Sequence, residues 1–340
     1  MYTFTTTEQN NAKANDFETK ALLYLMSFKS DSADIDKFFV DCFNDITGVD
    51  VDSIKLWDAQ SKNVTSLRPK TIGESLITLF QNYISSMGFY EYILFVPRLK
   101  ESYLNDSTLS EFKIDNFKNR LKIKEGLEEE FKRRKRLQAL NSEQLSQIDE
   151  FLELIYFVTG DSSKTIYIKK IIQFNSDILD DNFLESIFND IRSKQTELKN
   201  IPIHNVTINS VNEVLKLNKH LTRKQLETLV VNRVIGVELF KRRTPNEFFE
   251  VVRDKTLSDR KDIVLECNAK LSRLIFDKNG GKQMFWSLLE QILFLVKREQ
   301  EIYQILDQIR EKSIPRIINE DYTLLYLISM VKEGIEENAY

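Results

Sequence analysis

Residues 39–62 constrain this chain more than any other stretch. Phe39–Asp45 and Ile54–Lys62 mix β-branched and aromatic residues with polar ones, which predicts two strands joined by a connection containing Gly48. Side chains alternate faces along a strand, so Asp58, Gln60 and Lys62 share one face, each roughly 6–7 Å from the next. Ile54 and Leu56 precede them on that face, so the strand begins in the core and ends polar. Asp45 closes the first arm, where pairing brings it beside Gln60. A carboxylate, an amide oxygen and a lysine that converge in this way can hold a divalent metal and a phosphate. The plain alternative is an exposed polar strand face.

The rest of the chain reads as mostly helical. Nine glycines and five prolines in 340 residues leave little material for a loop-rich β fold. Phe17, Ala21, Leu25 and Phe28 follow helical spacing after a possible N-cap at Asp16. A second helix is expected over 70–87, ended by Gly88, then a buried strand over 89–96 parallel to the first. Further helices are expected over 111–140 and 142–158, then a strand over 166–174. From Asp180 the segments read as helices, with a break at Asn279-Gly280-Gly281 and a helical hairpin around Pro315. The expected domains are a mobile N-terminus at 1–10, an α/β domain at 11–175 with a helical insertion at 111–158, and a mainly helical region at 176–340.

Composition excludes several classes. Hydrophobic residues make up 42%, enough to bury a core. The net charge of −4 argues against a generally basic nucleic-acid binder. Cys42 and Cys267 suggest reduced core thiols in a cytoplasmic protein, not a disulfide framework. The two histidines, His204 and His220, carry no hydrolase motif around them. No signal peptide or membrane-spanning run is expected.

The order of motifs resembles the PD-(D/E)XK nuclease superfamily, in the branch where the second acid becomes glutamine, here Gln60-Ser61-Lys62. Phe17-Glu18 on a helix, Asn44-Asp45, the run Trp57–Lys62, Pro69-Lys70 and Tyr92–Val96 carry the likeness. It is similar to the double-stranded DNA endonuclease domain of CBASS-associated and Lamassu-type anti-phage effectors. The catalytic resemblance covers residues 10–100, and a weaker one in helix order reaches about residue 240.

That resemblance implies a restriction-endonuclease-like mixed sheet flanked by helices, followed by a helical region. It implies an endodeoxyribonuclease that uses Mg2+ or Mn2+, with Asp45, Gln60, Lys62 and Glu18 in catalysis and Asp45, Gln60 and Asp58 on the metal. Asp41 stands as a fallback acid. No SAVED-like sensor is recognisable and no P-loop occurs. The expectation is therefore the Lamassu arrangement, with double-stranded DNA as substrate and an SMC-like ATPase and accessory subunit as partners. Two alternatives stay open: an inactive DNA-binding or scaffold member of the fold, and an RNA-cleaving nuclease.

Two further features have a functional and a plain reading. Lys132, Arg133, Arg134, Lys135 and Arg136 form the strongest basic run, either a DNA-phosphate surface or a solvated helix face laced with Glu-Lys pairs. Lys241-Arg242-Arg243 is a weaker copy. Trp286, Leu289, Ile292 and Val296 lie on an apolar stripe that is either bundle core or an assembly surface for a homo-oligomer or partner.

Overall fold

The computed structural model describes residues 1–4, 12–64, 67–241, 243–298, 301–310 and 316–338. In chain order the first elements are β1 (Tyr2–Thr3), α1 (Ala12–Ser27), β2 (Ile35–Val40), β3 (Ile46–Asp50), β4 (Leu56–Ser61), α2 (Pro69–Ser75), α3 (Ile77–Tyr83) and β5 (Glu91–Val96). Then come β6 (Glu111–Phe112), α4 (Arg120–Lys135), α5 (Ser142–Leu154), β7 (Tyr156–Thr159), α6 (Lys164–Ile172), α7 (Asp181–Lys199), β8 (Thr207–Ile208), α8 (Val211–Leu215) and β9 (His220–Thr222). The remainder is helical: α9 (Arg223–Ile235), α10 (Asn246–Val251), α11 (Leu257–Ile275), α12 (Gly281–Val296), α13 (Ile302–Arg310) and α14 (Asp321–Asn338).

Two compact units emerge. One comprises Met1–Tyr167 with Phe188–Arg223, the other Ile168–Ile187 with Lys224–Tyr340. The first holds a seven-stranded sheet in the order β6-β7-β5-β4-β3-β2-β9. β3 lies between β2 and β4 and runs antiparallel to both, while β4, β5 and β7 run parallel. The α/β class and the parallel β4–β5 pair match the expectation, and the later part of the chain is mostly helical.

Successive side chains of β5 serve opposite faces. Phe95 packs on Phe17 of α1, ring centroids 4.9 Å apart, and Tyr92 packs on Phe151 of α5 at 5.5 Å. Phe80, Phe151 and Phe157 are fully buried. Each side chain of that size contributes about 1.5–3 kcal/mol by leaving water. Where α2 crosses α4 only glycine fits. A Cβ on Gly73 would meet the Ile123 carbonyl at 1.9 Å, and one on Gly126 would meet the Lys70 carbonyl at 2.0 Å.

Several elements differ from the sequence reading. The expected hairpin is three strands, with Gly48 inside β3, where a Cβ would stand 3.0 Å from the Ile35 side chain. Ile54 is 73% exposed, so only Leu56 starts the inner face of β4. Ile166–Phe174 is not a strand: α6 buries Tyr167, Ile168, Ile171 and Ile172 at helical spacing, and tertiary burial overrides the β-branched composition. The end of the helix expected over 142–158 is instead β7, and the helix of 111–140 shortens to α4 behind β6.

At the N-terminus, Tyr2 and Thr3 pair with Ile208 and Thr207, and Phe4 is buried. Pro315 and Arg242 lie outside the described residues.

In the second unit α12 packs against α11, α13 and α14. Trp286, Leu289, Ile292 and Val296 are all buried there. The apolar stripe is core packing, which corrects its reading as an exposed assembly surface. The physical reason is that three helices of the same unit already cover it. Among the described residues no helix is long and apolar enough to cross a membrane.

Candidate functional site

The β3–β4 register sets the site. Ile46 pairs with Ala59, which puts Asp45 opposite Gln60 at the polar end of the strands. The Asp45 carboxylate is buried there. One of its oxygens, Oδ2, accepts from Gln60 Nε2 at 2.7 Å, from the Ser61 backbone N–H at 2.7 Å and from Ser61 Oγ at 2.8 Å. The turn before Asp45 is strained. Asp41 takes a φ of 49°, the left-handed region that non-glycine residues avoid, and its N–H donates to the Asp45 carbonyl at 3.1 Å.

Asp58 shares the Gln60 face, as alternation predicts, but lies deeper and is completely buried. Its Oδ2 accepts from Asn44 Nδ2 and Asn82 Nδ2, each at 2.7 Å. Tyr2 completes the chain by donating its hydroxyl to Asn82 Oδ1 at 2.8 Å. Burial pushes the Asp58 carboxyl up to about 7 against the pull of these donors. A carboxylate held this far inside by two amides is a structural anchor. The expectation that it ligates a metal gives way to that burial.

Glu18 reaches the same end of the sheet from α1, and Lys199 reaches it from the end of α7. Lys199 forms an ion pair with Glu18 and lies 3.7 Å from Asp41. Burial pushes the Glu18 carboxyl up to about 7; the nearby Asp45 and Asp41 charges add to the shift and Lys199 opposes it. The Lys199 ammonium is held above its usual range, because Glu18, Asp41 and Asp45 outweigh the cost of its burial. Burial drives the Glu18 rise and opposes the Lys199 rise, while the neighbouring carboxylate charges raise both. Lys219, fully buried, donates to the Lys199 and Ile201 carbonyls at 3.3 and 3.0 Å and adds positive potential near Asp41. Burial lifts the nearby Cys42 thiol to about 12, so it is an inert neutral group.

The structure thus brings together Glu18, Asp41, Asp45 and Gln60. Lys62 sits half-buried just past β4, its N–H donating to the Phe95 carbonyl at 2.9 Å. Sequence reasoning named Asn44 only as the neighbour of Asp45 in the motif, and it missed Lys199, Lys219 and Asn82. No local pattern marks them, since the two lysines come from elements far along the chain.

The basic run caps α4. Arg133 and Arg134 both bind Glu130, at 2.7 and 2.9 Å, and Lys122 and Lys124 bind Glu125 and Asp149. Two of the five cations of the run, Arg133 and Arg134, are thus paired on the solvated face of α4.

Among the described residues no three His, Cys, Asp or Glu side chains converge to hold a metal ion. A leaner oxygen set is present in Glu18, Asp45 and Gln60, whose amide would turn to present oxygen. Asn44 Oδ1 beside them in sequence is buried and accepts no hydrogen bond. Crowded carboxylates with neutral oxygens suit magnesium, which binds through one or two carboxylates and keeps several waters.

No family model and no curated protein matches the chain. Two solved structures do, both of an Acinetobacter baumannii Cap4 SAVED/CARF-domain containing receptor. The one with 3'3'3'-cAAA is 12% identical with a TM-score of 0.38, covering 88% of this chain and 58% of that one. The one with 2'3'3'-cAAA is 13% identical with a TM-score of 0.39, covering 84% and 65%. This chain therefore spans less than two thirds of either receptor, at a likeness too slight to assign it a fold or a ligand. These findings correct the sequence reading. No nuclease model supports membership of the Gln-x-Lys branch, and the structures that match are described as cyclic-trinucleotide receptors. Double-stranded DNA cleavage as a Lamassu-like effector is withdrawn with it.

Proposed function

We propose that the Glu18–Asp45–Gln60 cluster is a binding site for a divalent cation and, through it, for a phosphate-bearing ligand. One observation carries this reading: Lys199 pairs with Glu18 and lies 3.7 Å from Asp41, and beside the burial that lifts Glu18 to about 7 the Asp45 and Asp41 charges push it the same way. A divalent cation relieves that repulsion and presents positive charge to a phosphate. Asp45 and Glu18 supply the carboxylates, Gln60 a neutral oxygen, and Lys62 at the strand end a second positive charge for the phosphate. Ser61 keeps Asp45 oriented through its N–H and hydroxyl.

Calorimetric titration tests it. Magnesium alone should bind the wild-type chain and fail to bind Asp45→Asn. A panel of inorganic phosphate, ATP and a cyclic trinucleotide should then bind more tightly with magnesium than with EDTA. Equal binding of magnesium to wild type and Asp45→Asn would remove the site.

A further inference from the structure

A second polar region lies at the opposite end of the same strands. β4 and β5 run parallel, with Gln60 beside Leu94 and Trp57 beside Glu91. Glu91 therefore sits three residues back from the level of Gln60, roughly 10 Å along the sheet. There an open cleft of about 540 Å³ is bounded by Lys29 and Asp31 after α1, Lys113 after β6, and the rings of Tyr83, Tyr90 and Tyr156. Its volume lies within the range of small-molecule sites.

The polar floor is a buried ion triad. Lys29, 6% exposed, binds Glu91 at 2.8 Å and Asp31 at 3.2 Å. Asp31 Oδ2 also accepts from Trp57 Nε1 at 3.0 Å, and Asp31 Oδ1 is the oxygen that faces the Lys29 ammonium. Buried charge triads contribute little to stability, because desolvation cancels most of the attraction. This one fixes acceptors and a donor under a wall of rings. The cleft's own charges balance, two lysines against two carboxylates. Tyr90 is 55% exposed although it packs edge-on against Trp57, with centroids 5.3 Å apart. Tyr90 is thus more than half open to solvent, with the Lys55 ammonium 5.1 Å from its ring centre.

We infer that this cleft binds a planar, uncharged heteroaromatic ring, a nucleobase in chemical class. A flat π-face suits the exposed tyrosine. An edge carrying both N–H donors and acceptors suits a lining that offers the Asp31 and Glu91 carboxylates as acceptors and the Lys113 ammonium as a donor. An anion meets Asp31 and Glu91. A free amine meets rings that already hold ammonium groups: Lys113 is 4.8 Å and Lys29 5.7 Å from the centre of Tyr156, and Lys55 is 5.1 Å from that of Tyr90. The cleft shares no residue with the Glu18–Asp45 cluster, so the two proposals stand or fall separately.

Adenosine and guanosine, which carry no phosphate, are the probes, titrated into the full chain by calorimetry with EDTA present. At least one should bind, Tyr90→Ala should weaken it about tenfold or more, and Lys113→Ala should weaken it severalfold. Asp45→Asn should leave it unchanged. Tyr90 is largely exposed, so its variant should keep the near-UV circular dichroism of the wild type; if it does not, Lys113→Ala carries the test. No nucleoside binding at millimolar concentration overturns the inference, as does binding that neither variant alters. Displacement of the nucleoside by inorganic phosphate or by spermidine at equal concentration would show the wrong ligand chemistry and overturns it too.

Discussion

The two ends of the β4–β5 strand pair are each built on one lysine shared between carboxylates, and they differ in what is left over. At the polar end Lys199 serves Glu18, Asp41 and Asp45. At the other end Lys29 serves Asp31 and Glu91, and Lys113 supplies a second cation across the cleft. At the first end burial, aided by the Asp45 and Asp41 charges, pushes Glu18 toward neutrality. The second is balanced and surrounds its charges with tyrosine rings. The same device, a buried lysine between acids, therefore creates a demand for a cation in one place and a neutral recognition surface in the other. The neighbours set the outcome: carboxylates crowd Lys199, while aromatic rings frame Lys29.

The sharpest break comes from the anchor beneath the polar end. Asp58→Leu takes the acceptor from the buried Asn44 amide and leaves the Asn82 amide only its 3.3 Å contact with the Phe43 carbonyl. It should cost about 3–5 kcal/mol in urea unfolding. Asp58→Asn keeps one oxygen for both amides and should cost about 1 kcal/mol. Equal losses in the two variants would mean that volume, not hydrogen bonding, holds this layer.

Breaking the triad at the other end should have a smaller effect, since Asp31 is partly exposed. Lys29→Met leaves Glu91 and Asp31 without their cation and should cost about 2–3 kcal/mol. Adding Glu91→Gln should restore part of that stability, because the two residues form one network. Strict additivity would show that Lys29 and Glu91 do not act together.

The smallest effect is expected away from both ends. Reversing the charge of Arg134, Lys135 and Arg136 on the exposed end of α4 should shift stability by no more than about 0.5 kcal/mol. It should leave magnesium binding unchanged. A lost magnesium site in that variant would tie the basic run to the polar end after all.

How much of this was legible in the sequence depends on range. Strand alternation and pairing brought Asp45 to Gln60, because both are consequences of local backbone geometry. Alternation also put Asp58 on the right face. It could not say how deep that face lies, so a buried anchor read as a ligand. Lys199 was invisible because the end of α7 reaches Glu18 only through the tertiary fold. Ile166–Phe174 read as strand from its β-branched residues, yet burial at helical spacing decided for a helix over Lys164–Ile172. The Lys29 cleft left no trace in any motif: Lys29, Glu91 and Tyr156 are separated in the chain and meet only where parallel strands begin. The stripe at Trp286–Val296 was legible as apolar, and its covering helices were needed to tell core from interface.

The central claim is that the polar end holds surplus negative charge that a divalent cation relieves. It is tested most directly by the melting temperature between pH 4.5 and 8, with and without magnesium. Glu18 titrates near 4.5 when unfolded and near 7 when folded, so the folded chain binds that proton more tightly. Asp58, raised from 3.8 to about 7, has the same sign. Stability is then highest below these unfolded values, falls as pH rises through the window, and levels off above about 7. Magnesium should restore most of the Glu18 share of that loss above pH 7. In Glu18→Gln the fall should be shallower and nearly insensitive to magnesium. A melting temperature that rises with pH across this window, or one that magnesium raises equally in wild type and Glu18→Gln, would contradict the account.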